Sequence, residues 1–365
     1  MGNAYTTPPD KNLYVPETVD DNGMCFYDVR RAPFDVYGLY KYREEPEFKR
    51  MPDDVASTVS AGVRGLSRNT SGGRIRFCTD SPSIMIRAAM PKVARFPHMP
   101  LTGTSGFDLY IDDPETGRST YYRTFTPPYN MTNGYDSLLN VRMGEGLRYY
   151  TIHFPTYNDV DSVQIGIEKG SALGGGLKYR DIAPVVFYGS SITQGGCSSR
   201  PGNAYTNAIT RDLRVDHINL GFSGNGKAED TMIEYLASLE MSVFVSDYDH
   251  NAPNPEHLKK THYRLYEGIR AKQPDLPYIM VSKPDFHDYI PEDHLRLAII
   301  KESYERAVAA GDKNVYFIDG SKIFRGEWRD NCTVDSTHPT DLGFSMMAES
   351  IGKVIAESLG LLCGQ

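Results

Sequence analysis

The sequence predicts two domains: an all-β sandwich of jelly-roll type over residues 20–172, and an α/β domain with a five-stranded parallel sheet over residues 180–362. Three observations carry this. The 365 residues exceed what one ordinary hydrophobic core covers. Apolar residues alternate with period two through the first half, whereas short apolar runs alternate with stretches of helical length through the second. Between the halves glycines gather, at Gly170 and at Gly174-Gly175-Gly176, which predicts a flexible connector where few contacts cross.

In the first half Ile75 and Phe77 alternate with Arg74 and Arg76, Ile84 and Ile86 with Met85 and Arg87, and Phe107, Leu109 and Ile111 with Asp108 and Tyr110. Each set predicts a strand with one buried face. Further strands fit Thr120 to Phe125, Leu147 to Phe154 and Val163 to Ile167, with turns at Ser71-Gly72-Gly73, Asp113-Pro114 and Asn133-Gly134. In the second half, strands are predicted at Val185 to Tyr188, His217 to Leu220, Ser242 to Val245, Tyr278 to Ser282 and Val315 to Ile318. Helix signals lie between them. Asn254 caps a helix opened by Pro255, Pro291 opens another that Gly311 can end, and Leu342 to Leu359 closes the chain.

Composition narrows the function. A net charge of −8 with no Lys/Arg cluster to offset it argues against nucleic acid. No stretch of 18 apolar residues is present, so no membrane span is expected, and Met1 to Thr6 lacks the apolar core of a signal peptide, which predicts a cytoplasmic chain. The 25 tyrosines suit half-exposed strand positions or stacking on flat ligands. Cys25, Cys78, Cys197, Cys332 and Cys363 are odd in number and lack paired spacing, so neither a disulfide framework nor a zinc site is indicated. Whether Cys197 and Cys332 pair stays open; a reducing compartment disfavours it.

Each strand of the second domain ends in a polar cluster, and a parallel sheet brings such ends to one edge. The run Val185 to Gly189 stops at Ser190-Ser191. After the next strands come Gly221-Phe222-Ser223-Gly224-Asn225-Gly226, then Asp247-Tyr248-Asp249-His250-Asn251, Lys283-Pro284-Asp285 and finally Asp335-Ser336-Thr337-His338-Pro339. Acyl transfer needs a nucleophile, a base, a group that fixes the tautomer of the base, and donors for the oxyanion. Ser191, His338 and Asp335 fit the first three, and the N–H groups of Ser191 and Gly224 with the side-chain amide of Asn251 fit the fourth. Taken singly, each has a plain structural reading as a turn, a cap or a surface acid. Their order, each behind its own strand, favours catalysis.

These blocks resemble the SGNH (GDSL-type) hydrolases, named for Ser, Gly, Asn and His in four separated elements, here Ser191, Gly224, Asn251 and His338. The resemblance covers roughly residues 183 to 360 and implies a flavodoxin-like SGNH-hydrolase fold, with Asp335 from the Asp-x-x-His element as the acid. Gly106-Phe107-Asp108-Leu109-Tyr110 resembles the Gly-x-Asp-Leu-Tyr element of the β domain that precedes some members. Two blocks depart from the pattern: Ser190 stands where Asp is common, and Asp249-His250-Asn251-Ala252 replaces the usual Gly-x-Asn-Asp.

The resemblance implies a serine esterase acting on short acyl esters, often acetylated carbohydrate, with no metal or organic cofactor. Its expected partner is a small-molecule or oligosaccharide ester. A lysophospholipase or thioesterase of the same fold is the alternative among enzymes, and a carbohydrate-binding protein with a vestigial hydrolase domain the alternative outside them. Arg200, Gln194 and Lys283 are candidates for substrate binding, with a loop-closing salt bridge and a pair with Asp285 as the competing readings of Arg200 and Lys283. His250, His257, His287 and Asp249 match no metal-ligand spacing. Oligomeric state is not legible.

Overall fold

The computed structural model describes residues 15–16, 18–141 and 146–361. The amino-terminal segment read above for targeting and Cys363 lie outside them. Strands β1 (Met24–Asp28), β2 (Asp35–Tyr37), β3 (Arg74–Thr79), β4 (Ser83–Ala89), β5 (Phe107–Asp112), β6 (Ser119–Phe125), β7 (Gly134–Asn140), β8 (Arg148–His153), β9 (Ser162–Glu168) and β10 (Leu173–Gly175) form two antiparallel sheets. Their orders are β1-β9-β4-β7 and β10-β3-β8-β5-β6, with β2 also on the edge of β3. Ile75, Phe77, Leu109 and Ile152 from one sheet meet Ile84, Ile86, Val163 and Ile165 from the other in a single apolar core, as the period-two pattern requires.

The polar side of β3 behaves differently from a solvated face. Arg74 and Arg76 are only 0% and 4% exposed: the second domain covers Arg74, while Asp112 and Tyr179 enclose Arg76. Arg74 forms a salt bridge to Asp216 and donates to the carbonyl of His217 at 3.1 Å. The glycine-rich connector is likewise built into the sheet. Gly174 and Gly175 pair with Cys78 and Phe77 as part of β10, and a Cβ on Gly176 would come 2.5 Å from Cβ of Arg76. Contacts between the halves are many, which corrects the expectation of a loose joint. Arg50, 1% exposed, donates to Leu66 O and Gly221 O, each at 2.7 Å, and Ser71 Oγ donates to Gln194 O at 2.6 Å. Two short helices, Asp53–Val59 and Ala61–Leu66, too brief to show a period in the sequence, set Ala56 and Val63 into the core of the second domain.

The second domain holds β11 (Val185–Gly189), β12 (His217–Gly221), β13 (Val243–Asp247), β14 (Tyr278–Val281) and β15 (Val315–Ile318). They form one sheet ordered β12-β11-β13-β14-β15, and every paired neighbour is parallel. This is the flavodoxin-like order. All five residues of β11 are buried, Val186 and Tyr188 toward one layer of helices and Val185 and Phe187 toward the other. Helices Asp230–Ser238, Pro255–Arg270 and Pro291–Ala309 cover the first face, and Tyr205–Leu213 and Asp341–Ser358 the second. The punctuation works as read: Asn254 accepts from His257 N at 2.8 Å, and Gly311 adopts φ +92° just past its helix. Strand order reverses at β11, between β12 and β13, so the crevice of the sheet opens beyond Gly189. Among the described residues no helix is long and apolar enough to cross a membrane.

Candidate active site

Beyond β11 the chain turns with no room to spare. A Cβ on Gly189 would sit 2.0 Å from Thr193 Oγ1 and 2.2 Å from Asp247 O, so glycine is required there. Ser190 caps the short helix Ser191–Gln194: its hydroxyl accepts from Ile192 N at 3.1 Å, and its own N–H donates to Thr193 Oγ1 at 3.2 Å. Serine caps a helix about as well as aspartate, so the departure from Gly-Asp-Ser preserves the turn. Thr193 is held in turn by Asp247, a buried acid whose pKa burial and the neighbouring Asp249 push up to about 7.

Ser191 is 7% exposed, with Oγ 2.9 Å from His338 Nε2. On the far side of the imidazole, Nδ1 lies 2.8 Å from Asp335 Oδ2, and Asp335 Oδ1 accepts from the backbone N–H of His338 at 2.8 Å and of Thr337 at 3.2 Å. Partial burial pushes the Asp335 carboxyl up, but the hydrogen bonds from His338 and Thr337 and the imidazole charge outweigh it and hold it below the ordinary range. Asp335 is thus an anion wherever an imidazolium beside it needs a counter-charge. Ser336, at φ +63°, makes the tight bend that lets Asp335 and His338 meet across three residues.

Gly224 lies at φ +68° with open space where a Cβ would stand. Backbone conformation, rather than close approach, requires glycine there. Asn251 follows β13 in a single turn, and its amide donates to Phe222 O at 2.7 Å, which ties it to the Gly224 loop. One amide hydrogen is thereby committed.

The sandwich also reaches the site. Tyr157 OH donates to Ser191 O at 3.2 Å, and the His98 ring is 5.5 Å from that of His338. His98 and Tyr157 sit in loops with no pattern to single them out, so only the fold could show them. Cys197, at φ +71°, is 6% exposed and free; burial, then Asp335, pushes its thiol up to about 12. Cys332 is also free, its sulfur 3.7 Å from Trp328 O and from Met346 Sδ. One ligand atom each from His98, Cys197 and His338 lie within 4.8 Å of one another, a soft donor set with a carboxylate behind one histidine, such as zinc accepts. No sequence spacing announced it. Micromolar Zn2+ is therefore expected to inhibit turnover reversibly to chelator, and His98→Ala to resist at tenfold higher Zn2+; equal sensitivity of the two proteins would place the inhibition elsewhere.

Three candidate substrate residues are engaged internally. Gln194 is fully buried, its amide donating to Asn69 Oδ1 at 2.9 Å and Thr156 O at 3.2 Å while its carbonyl accepts from Ser223 N at 3.0 Å. It braces the Gly224 loop against the sandwich, with no polar atom left for substrate. Lys283 lies 2.7 Å from Asp293 and 3.6 Å from Asp285, so its main partner is one helix further on than expected. Arg200 Nη1 contacts Asp108 Oδ2 at 3.1 Å, and the guanidinium stacks on Tyr121 at 3.7 Å. The loop-closing reading of Arg200 is the one the geometry favours.

That contact explains the Gly106 to Tyr110 element. Asp108, fully buried, accepts from Gly202 N at 2.7 Å and Thr124 Oγ1 at 2.7 Å besides Arg200. Tyr110 OH receives Arg200 and, at 3.3 Å, Arg211. A Cβ on Gly202 would stand 2.3 Å from that hydroxyl. The element clasps the segment that follows Ser191.

His250 is held between carboxylates, Nε2 at 2.6 Å from Asp285 and Nδ1 at 3.3 Å from Asp249. Burial pulls its pKa down, but the two acids raise it to about 10. A raised histidine contributes stability in full below its unfolded value of about 6.5 and loses it as pH climbs through the folded value. Unfolding free energy, measured by denaturant titration, should therefore decline from about pH 6.5 upward, and His250→Gln should flatten that slope.

The fold and the strand-edge location define an SGNH-type ester hydrolase. Residues 182–356 match the GDSL-like lipase/acylhydrolase family, and residues 24–173 match the N-terminus of SGNH-hydrolase-type esterases. The chain carries a GDSL-like lipase/acylhydrolase domain behind that amino-terminal domain. A GDSL-like lipase from Bacteroides ovatus is similar in structure, with 26% identity, TM-score 0.84, and coverage of 94% of this chain and 100% of the other. The salicylyl-acyltransferase SsfX3 of a tetracycline biosynthetic pathway shares the fold at 18% identity and TM-score 0.74 over 94% and 99% of the two chains. So does a family two carbohydrate esterase from Clostridium thermocellum bound to cellohexaose, at 15% identity and TM-score 0.60 over 90% and 100%. No curated protein matches in sequence.

Proposed function

We propose that the chain removes short acyl groups, acetyl above all, from hydroxyls of carbohydrate through an acyl-enzyme on Ser191. The observation that carries this is the continuous path Ser191–His338–Asp335, with bonds of 2.9 and 2.8 Å, at the sheet edge where ligands bind. Ser191 Oγ attacks the ester carbonyl carbon as its proton passes to His338 Nε2. The oxyanion is met by the N–H groups of Ser191 and Gly224 and the side-chain amide of Asn251. As the carbonyl re-forms, the bond to the alcohol breaks and His338 gives its proton to the departing oxygen. Water then enters, loses a proton to His338, attacks the acyl carbon, and the acid leaves as Ser191 regains its hydrogen. Asp335 keeps the Nδ1 proton in place and stabilises the imidazolium throughout.

The alcohol side is supported by a groove of about 470 Å³ beside Tyr157 and the Gly224 loop, lined by Phe96, Asn69, Lys92, Asn158 and Asp159 among others. Phe96 offers an aromatic face and Lys92 a charge there, which suit a hydroxyl-rich ring better than an alkyl chain, while the amides of Asn69 and Asn158 are spent on Asp159, Ala94 and Ser105. Turnover of p-nitrophenyl esters is expected to fall from acetate to octanoate, and acetylated oligosaccharides to release acetate. A rate that climbs with chain length would instead support a lysophospholipase or thioesterase.

A further inference from the structure

In the sequence the cations of this acidic chain are dispersed; the fold gathers several of them. A cavity of about 300 Å³ between the two domains is lined by Arg76 from β3, His153 from β8, Lys178 and Arg180 from the segment joining the domains, and Arg211 and Arg214 at the end of helix Tyr205–Leu213. Glu115 is the one carboxylate on its wall. A second basic cavity adjoins it, sharing Ser119, Arg211 and Arg214 and adding Arg118.

Two of these charges are neutralised, Arg76 by Asp112 at 2.9 Å and Lys178 by Asp35. The other three are not matched in this way. Arg180 donates to Leu213 O at 3.0 Å, Arg214 to Thr116 O at 2.9 Å and Arg211 to Gly202 O at 2.9 Å, and the nearest acid to Arg211 is the exposed Asp212 at 3.8 Å. Carbonyl acceptors orient a guanidinium and leave its charge uncompensated. Two buried wall residues also keep polar nitrogens without a hydrogen-bond partner, Nδ1 of His153, 2% exposed, and Nε of Arg76, 4% exposed. Burial, then Arg211, Arg74 and Arg200, push the His153 pKa well down, so it stands as a neutral donor or acceptor in a positive field. Arg214 holds the left-handed conformation at φ +55°, and its stem crosses Gly117, where a Cβ would come 2.6 Å from Arg214 Cδ. The sandwich loop is shaped to that arginine.

We propose that this interdomain cavity binds a phosphate-type oxyanion, carried free or as a phosphate monoester, through Arg180, Arg211 and Arg214. Arginine forks match tetrahedral oxyanions and bind them through charge-assisted bonds. The site lies on the opposite side of the Asp108 clasp from Ser191 in the chain of contacts Arg211–Tyr110–Arg200, and it joins residues of both domains.

Calorimetric titration of the full chain with inorganic phosphate, at ionic strength held constant with sodium chloride, is expected to show saturable binding at one site. Glucose 6-phosphate and inorganic phosphate, titrated in parallel, separate a phosphate monoester (the former tighter) from a free oxyanion (the two alike or the latter tighter). The double variant Arg180→Gln/Arg214→Gln should weaken binding at least tenfold, and Arg180→Gln alone, at an exposed position, should weaken it measurably should the double variant not fold. Labelling Ser191 with a fluorophosphonate should leave phosphate affinity unchanged. The proposal is overturned by absence of saturable heat, by variants that bind as wild type, or by loss of binding on Ser191 labelling, which would place the anion at the active site.

Discussion

Ser191→Ala is expected to lower kcat for p-nitrophenyl acetate by roughly 10^4- to 10^6-fold, the range seen when a nucleophile is removed from a Ser-His-Asp system. Without Oγ no acyl-enzyme can form, while the oxyanion donors and the bound ester stay in place, so KM should move little. The fold should tolerate the change: Ser191 Oγ bonds His338 at 2.9 Å, and the cap that holds the turn belongs to Ser190. Labelling by a fluorophosphonate should disappear with the activity. A purified Ser191→Ala protein with wild-type turnover would sink the proposed mechanism, and Asp335→Asn offers a graded check. It would leave the imidazole near its place but disturb the tautomer that Asp335 Oδ2 selects at 2.8 Å, so kcat should fall steeply with little change in melting temperature.

Asp108→Ala should destabilise the domain boundary strongly. It removes a fully buried carboxylate that Gly202 N, Thr124 and Arg200 all share, leaving a backbone N–H unanswered and the Arg200 guanidinium without its counter-charge. Breaking a buried pair from one side costs about 3 kcal/mol or more. Burial pushes the Asp108 pKa up despite Arg200 and Gly202, so part of that carboxylate's desolvation is recovered on its loss, and the lower end of the range applies. Because the segment it clasps runs on from Ser191, kcat should drop along with the melting temperature. Asp108→Asn, which keeps an acceptor and the shape, should recover much of both. Wild-type thermal stability in Asp108→Ala would show that the clasp is held by Tyr110 and the core alone.

Much of this architecture was legible in the residues. Alternation at Ile75 and Phe77, at Ile84 and Ile86, and at Leu109 and Ile111 named the inner faces of both sandwich sheets, because the two-residue period of a strand is a local property. Val185 to Tyr188 read as a strand buried on both faces because its apolar run is unbroken. Other features could not be read this way. Arg74 and Arg76 look like a solvated face until their partners Asp216 and Asp112 are known, and the glycines at 174–176 look like a hinge until β10 is seen on the edge of β3. Gln194 and Lys283 look available to a ligand until their partners, distant in sequence, are known.

The candidate site divides along the same line. The order of Ser191, Gly224, Asn251 and the Asp335–His338 pair, each block behind its own strand, is a feature of the sequence, since parallel strands must deliver their carboxyl ends to one edge. The 2.9 Å approach of His338 to Ser191, the arrival of His98 and Tyr157 from the sandwich, and the convergence of Arg180, Arg211 and Arg214 on one cavity belong to the tertiary structure. Local periodicity and turn chemistry act over a few residues and so are written in the chain. Side chains distant in sequence are brought together only by the packing of strands, helices and domains on one another, and no short stretch of sequence carries that information.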